Sequence, residues 1–132
     1  MPYKVEFDES GFIHATYQGD LNLAGITDLM AAVAHVIKER NCFLVLSDYR
    51  QAKLAISIID LYEIPKLILK RGKEMGVPAQ KVKRALIIPA SASDKFSFFE
   101  TVSLNNSQSV RIFTDEGQAR NWLLVHSDGT GN

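Results

Sequence analysis

The sequence predicts an α/β fold: a mixed sheet of about five strands, an antiparallel hairpin first and parallel strands after it, covered by about four helices. Three observations carry that reading. Residues 3–18 alternate apolar and polar with period two, the mark of strands with one wet face. Two later runs, Cys42–Leu46 and Arg84–Ile88, are apolar almost throughout, as strands buried on both faces are. Between these runs apolar residues recur at three and four positions, the spacing of amphipathic helices. Strands joined by helices pair in parallel, because a long crossover returns the chain to the same end of the sheet.

Each element has its own justification. Tyr3, Val5 and Phe7 oppose Lys4, Glu6 and Asp8. After the turn residues Glu9-Ser10-Gly11, Ile13, Ala15 and Tyr17 alternate with His14, Thr16 and Gln18. Gly19-Asp20 is expected to close this hairpin at a sheet edge. Leu23, Ile26, Leu29/Met30, Val33 and Val36/Ile37 then form a helical stripe, with Asn22 as its cap and Lys38 and Arg40 at its negative end. Cys42–Leu46 is expected to be a central strand, ending at Ser47-Asp48-Tyr49-Arg50. A second helix, from Ser57 to about Met75, opens on Ser57-Ile58-Ile59-Asp60, close to a capping box with Asp in the Glu position. Pro89 stops the run that begins at Arg84, and a third helix is expected from about Ser93 to Leu104. Ser109–Phe113 alternates as a more exposed strand, and a last helix runs from Asp115 to about His126, with Thr114 available to cap it. Residues 127–132 read as a frayed tail, so a single domain is expected over residues 1–126.

Composition narrows the function. A chain of 132 residues is the usual size of one domain. Fifteen Lys+Arg balance fifteen Asp+Glu, so no overall field draws nucleic acid. Cys42 is the single cysteine, which rules out an internal disulfide and a cysteine-only zinc site. The longest strongly apolar stretch, Leu29–Ile37, falls well short of the roughly 20 residues that a membrane span needs. The opening Met1-Pro2-Tyr3-Lys4-Val5-Glu6 lacks a basic segment followed by an apolar run, so a cytoplasmic protein with no integral membrane segment is expected.

The order of elements, ending in Val110-Arg111-Ile112-Phe113-Thr114-Asp115-Glu116-Gly117-Gln118-Ala119-Arg120-Asn121-Trp122-Leu123, resembles the bacterial SpoIIAA-like (STAS-like) domains. Leu46-Ser47-Asp48-Tyr49-Arg50, the stretch Ile58–Leu69 and Phe98-Phe99-Glu100-Thr101-Val102 resemble them too, so the likeness spans nearly the whole chain, residues 3–124. Known members are anti-sigma factor antagonists, switched by phosphorylation of a serine in an Asp-Ser-Ser-Gly-like motif at the start of the second helix. The stretch here, Asp48 to Ser57, lacks that motif, since Ser57 has neither the flanking serine nor the glycine. The resemblance therefore implies a regulatory protein-binding module without that switch. Other members resemble the CRAL-TRIO lipid carriers, which implies a small lipid-binding or apolar-ligand module as the alternative.

Chemistry finds little support. A phospho-receiver site needs clustered acids, a Ser/Thr and a lysine; Asp8-Glu9, Asp48 and Ser91 could fill the first places, but Thr114-Asp115 stands where the lysine belongs. His14, His35 and His126 share no helical metal-pair spacing, and no glycine-rich phosphate loop or nucleophile elbow occurs. No enzyme, metal or cofactor is expected.

Two stretches point to binding instead. The helix from Ile58 to Leu69 is apolar almost all round, and Pro65 is expected to kink it and free the Leu61 carbonyl. One sheet face cannot hide that much apolar surface, so a second copy or a ligand groove is expected to cover the rest. Lys66, Lys70, Arg71, Lys73, Lys81, Lys83 and Arg84 form a basic run against one acid, Glu74, and Lys70, Arg71 and Lys73 are its candidate anion-binding members. Phe96, Phe99 and Val102 share a helical stripe, while Phe98 lies off it and could line a gap beside the second helix. The expected contact surface is the loop after the central strand together with the helix that follows, namely Asp48, Tyr49, Arg50, Ser57, Leu61 and Tyr62. The expected function is a non-catalytic regulatory or sensing module that acts through protein binding and self-associates as a dimer, its protein partner unidentified.

Overall fold

The computed structural model describes residues 2–94, 96, 97, 100 and 108–125. The roles expected for Phe98, Phe99, Val102, His126 and the tail lie outside them. Five strands, β1 (Tyr3–Asp8), β2 (Phe12–Leu21), β3 (Leu44–Leu54), β4 (Lys83–Ile87) and β5 (Ser109–Phe113), form one sheet in the order β1-β2-β3-β4-β5. The first pair is antiparallel and the rest are parallel, as expected, with β3 in the middle. Helices α1 (Leu23–Arg40) and α2 (Ile58–Met75) connect them, residues 93, 94, 96, 97 and 100 belong to a helical stretch α3, and α4 (Glu116–Val125) ends the described chain.

The helix ends follow from their sequences. Asn22 accepts from the Gly25 amide at 2.9 Å, and Ser57 accepts from the Asp60 amide at 3.1 Å. At the far end of α2, Gly76 takes a left-handed φ of 76°, a conformation that suits glycine. Thr114 does not cap α4. Asp115 does, its Oδ2 accepting from the Gln118 amide at 2.8 Å, because the helix begins one residue later than the spacing suggested.

Two strands outrun their apolar patterns. The expected close at Gly19-Asp20 is instead continuous strand to Leu21, after a register shift between Thr16 and Gln18 and with Gly19 at φ 90°. This second half of β2 pairs with Gln51–Leu54, and that ladder carries β3 well past its apolar run. Backbone hydrogen bonding thus extends strands where hydrophobicity has stopped, and the Gln18 amide donating to Gln51 Oε1 at 2.8 Å belongs to the same extension. The consequence is a correction: Asp48-Tyr49-Arg50 is not a loop after β3 but part of it.

Period two then splits the sheet into two faces. On one, Ala15, Tyr17, Leu86 and Val110 pack with Ile26 and Leu29 of α1, Leu61 and Ile64 of α2, and Phe96 of α3. Ile13 and Val45 continue that face beneath Ala34 and Ile37. On the other, Phe12, Leu46, Ala85 and Ile87 pack against Ala119 and Leu123 of α4, all fully buried. Among the described residues no helix is long and apolar enough to cross a membrane.

Candidate functional site

Because neighbours in a strand point to opposite faces, the expected trio Asp48-Tyr49-Arg50 is divided. Asp48 and Arg50 lie on the α4 face and satisfy each other. Arg50 Nε donates to Asp48 Oδ1 at 3.0 Å and its NH2 to Oδ2 at 2.7 Å, a two-pronged pairing. The same NH2 reaches Glu116 Oε1 at 2.9 Å, Glu116 Oε2 accepts from Arg120 at 2.9 Å, and Arg120 lies 3.5 Å from Asp8. Burial pushes the Asp48 carboxyl upward, but the side-chain and backbone hydrogen bonds from Arg50 outweigh it and hold the group below its usual range. Arg50 is correspondingly raised, chiefly by its hydrogen bond to Asp48. Both oxygens of Asp48 are thus engaged by Arg50. His14 Nε2 beside this network is buried with no hydrogen-bond partner among the described residues. No cluster of three metal-binding side chains occurs among the described residues.

Tyr49 points the other way, into a cavity of about 80 Å³ that is partly open to solvent. Its walls come from α1 (Leu29, Met30, Val33), α2 (Ile68, Gly72, Met75) and the sheet (Val45, Ser47, Arg84). A second hollow of about 30 Å³ continues it toward Leu86 and Phe96 and shares Met30, Tyr49, Ile68 and Arg84 as walls. Arg84 is the one charged side chain on the floor of this apolar space. Its NH2 donates to the Gln108 Oε1 at 3.0 Å, and the buried Gln108 donates its own NH2 to the Pro65 carbonyl at 2.6 Å. No carboxylate forms an ion pair with Arg84 among the described residues. Desolvation pulls its guanidinium down to about 10, which leaves it charged at neutral pH. Desolvation likewise raises Tyr49, against smaller opposing effects of Arg84 and Ser47, so its hydroxyl remains a neutral donor. Both residues keep some accessible surface, and the cavity beside them is partly open to solvent.

The second helix divides as well. It runs through Pro65 as one element, with Leu61, Ile64 and Pro65 buried. Leu61, expected on the contact surface, is 1% exposed and belongs to the core. Ser57 is exposed and serves as the cap, while Ile58, Ile59 and Tyr62 are 49%, 75% and 46% exposed, a short apolar end on α2. The expectation that the sheet cannot hide this helix holds at that end alone.

The basic run does not form one patch. Lys66 pairs with Glu63 and Arg71 with Glu74 on the surface of α2, where Lys70 and Lys73 are also exposed. Lys83 lies over the Trp122 ring at 4.4 Å on the α4 side, and Arg84 turns inward. Of the candidate anion-binding residues only Arg71 reaches the cavity, at its rim. Arg84 and Gln108 were not singled out as site residues from the sequence; the signal for Arg84 was an arginine inside an otherwise apolar strand.

No protein-family model matches the chain, and no curated protein matches it by sequence. Solved structures do. The crystal structure of an anti-sigma factor antagonist from Mycobacterium paratuberculosis matches with a TM-score of 0.59 and 13% identity, covering 92% of both chains. That of an uncharacterized DUF3478-family protein with a SpoIIAA-like fold, from Shewanella loihica, matches with a TM-score of 0.56 and 16% identity over 92% of this chain and 91% of its own. The five-stranded mixed sheet and its flanking helices thus form a SpoIIAA-like fold.

Proposed function

We propose that the protein is a non-catalytic regulatory module that acts through protein–protein binding, with a second copy of itself as the first partner. The observation that carries this is the apolar end of α2, where Ile58, Ile59 and Tyr62 stand in solvent beside the Ser57 cap. Helix starts are usually polar, and three large apolar side chains on one turn make a natural hot spot for association. The likeness to an anti-sigma factor antagonist supports a binding role of this kind. The test is light scattering across a concentration series. A dimer is expected for the native chain and a monomer for Ile59→Asp, a change that leaves the core untouched because the residue is three-quarters exposed. A native chain that stays monomeric at millimolar concentration overturns self-association.

A second reading, a binder of small apolar ligands, is supported by a different observation: the cavity between α1, α2 and the sheet.

A further inference from the structure

We propose that this cavity is a binding site for a short-chain carboxylic acid, held with its carboxylate on Arg84 and its hydrocarbon tail between α1 and α2. The inference deepens the second reading above and rests on it. Its starting point is an imbalance. Charges taken out of water are normally paired, since a buried charge without a partner stays costly even after relaxation. Arg84 is desolvated, yet its described hydrogen-bond partner is the neutral Gln108. The undescribed stretch 101–107 next to Gln108 contains no Asp or Glu that could serve. A guanidinium carries five donors, so most remain for a planar, two-pronged acceptor such as a carboxylate.

The rest of the lining fits the same molecule. Leu29, Met30, Val33, Val45 and Ile68 supply an apolar sleeve, and among the described residues no Asp or Glu lines the space to repel an anion. Tyr49, close enough to Arg84 to feel its charge, can donate its hydroxyl to a carboxylate oxygen, and Ser47 on the same face of β3 hydrogen-bonds the Tyr49 oxygen and orients it. Exposed Arg71 stands at the rim, a second positive charge on the way in. Gln108 ties Arg84 to the Pro65 carbonyl, which holds the cation in place on α2. One inward cation suits a singly charged head; a doubly charged phosphate would leave a buried charge uncompensated. Size selects the tail. The space is about 80 Å³. An engineered core of ~150 Å³ takes up the six carbons of benzene, so a space of about half that size encloses about three carbons of the tail, and the rest of a longer chain runs out through the open mouth.

The experiment is calorimetric titration of the full chain with hexanoate and, separately, with 1-hexanol, which has the same tail and no charge. Hexanoate is expected to bind at least about tenfold more tightly, the scale of a hydrogen-bonded charge pair. In Arg84→Gln and Arg84→Met the preference for hexanoate is expected to vanish while hexanol binding persists. Tyr49→Phe should weaken hexanoate by a few-fold. Equal binding of hexanoate and hexanol to the native chain overturns the carboxylate assignment and leaves the apolar-ligand reading standing. Absence of binding by either compound overturns both. The comparison on the native chain decides the matter even if an Arg84 variant does not fold.

Discussion

Two arginines on opposite faces of the sheet, Arg50 and Arg84, live under opposite conditions. Arg50, under α4, shares its donors between Asp48 and Glu116, and that network runs on through Arg120 to Asp8. Arg84, under α1 and α2, has a neutral amide for a partner and a cavity in front of it. The first face is closed, with Phe12, Leu46, Ala85, Ile87, Ala119 and Leu123 at 0% exposure. The second is as apolar but incompletely filled. One face thus pairs its cation with carboxylates, and the other holds a cation with no carboxylate partner among the described residues, the feature on which the proposed ligand site rests.

The largest expected effect tests whether the faces differ in packing. Leu46→Ala on the closed face should cost about 3 kcal/mol, because fully packed surroundings cannot collapse into the gap. Val33→Ala, at the cavity wall, removes atoms that already border empty space and should cost under about 1 kcal/mol. Urea unfolding of the two variants measures the difference. Equal losses would show the two faces to be packed alike.

The next effect has the opposite sign. Arg84→Met replaces a desolvated charge that has no carboxylate partner among the described residues by an apolar side chain of similar length, and should stabilise the ligand-free protein by about 1 kcal/mol. Arg50→Ala should instead lose about 1 kcal/mol, since it leaves Asp48 and Glu116 without their cation, softened by the 42% exposure of Arg50 itself. Thermal melts of both variants read the sign directly. A loss on removing Arg84 would mean that its link to Gln108 and Pro65 outweighs its desolvation.

The sequence shows this asymmetry only in part. Period two at residues 3–18 and the apolar runs near Val45 and Leu86 were enough for the sheet, its order of elements and the central place of β3. What pattern could not show was how far β3 and β2 continue, because the added pairs Gln18–Gln51 to Leu21–Leu54 are held by backbone hydrogen bonds and not by apolar side chains. That one extension decides the site. As a loop, Asp48, Tyr49 and Arg50 form one surface; as strand, they part to opposite faces, and Leu61 goes to the core. Arg84 shows the same limit from the other side. Its neighbours in sequence, Lys81 and Lys83, made it one of a basic run, whereas its neighbours along the strand, Ala85 to Ile88, marked it as buried.

The smallest effect separates the two arginines by pH. Asp48 is held below the usual carboxylate range in the folded chain, so unfolding raises its affinity for protons. Its contribution is therefore present above the ordinary value of about 3.9 and disappears as pH falls through the lower folded value. Asp8 behaves likewise, lowered first by hydrogen bonding to the Ser10 backbone. Stability followed between pH 5 and 2 should fall for the native chain, and fall less steeply in Asp48→Asn, with Asp8→Asn added to remove what remains. Water reaches the pair through Arg50, so the Asp48 share is under about 1 kcal/mol. In Arg84→Met the acid limb should keep its native slope, because among the described residues no carboxylate is paired with Arg84 to titrate. An acid limb flattened by that variant would place an acidic partner on Arg84 and remove the imbalance on which its ligand depends.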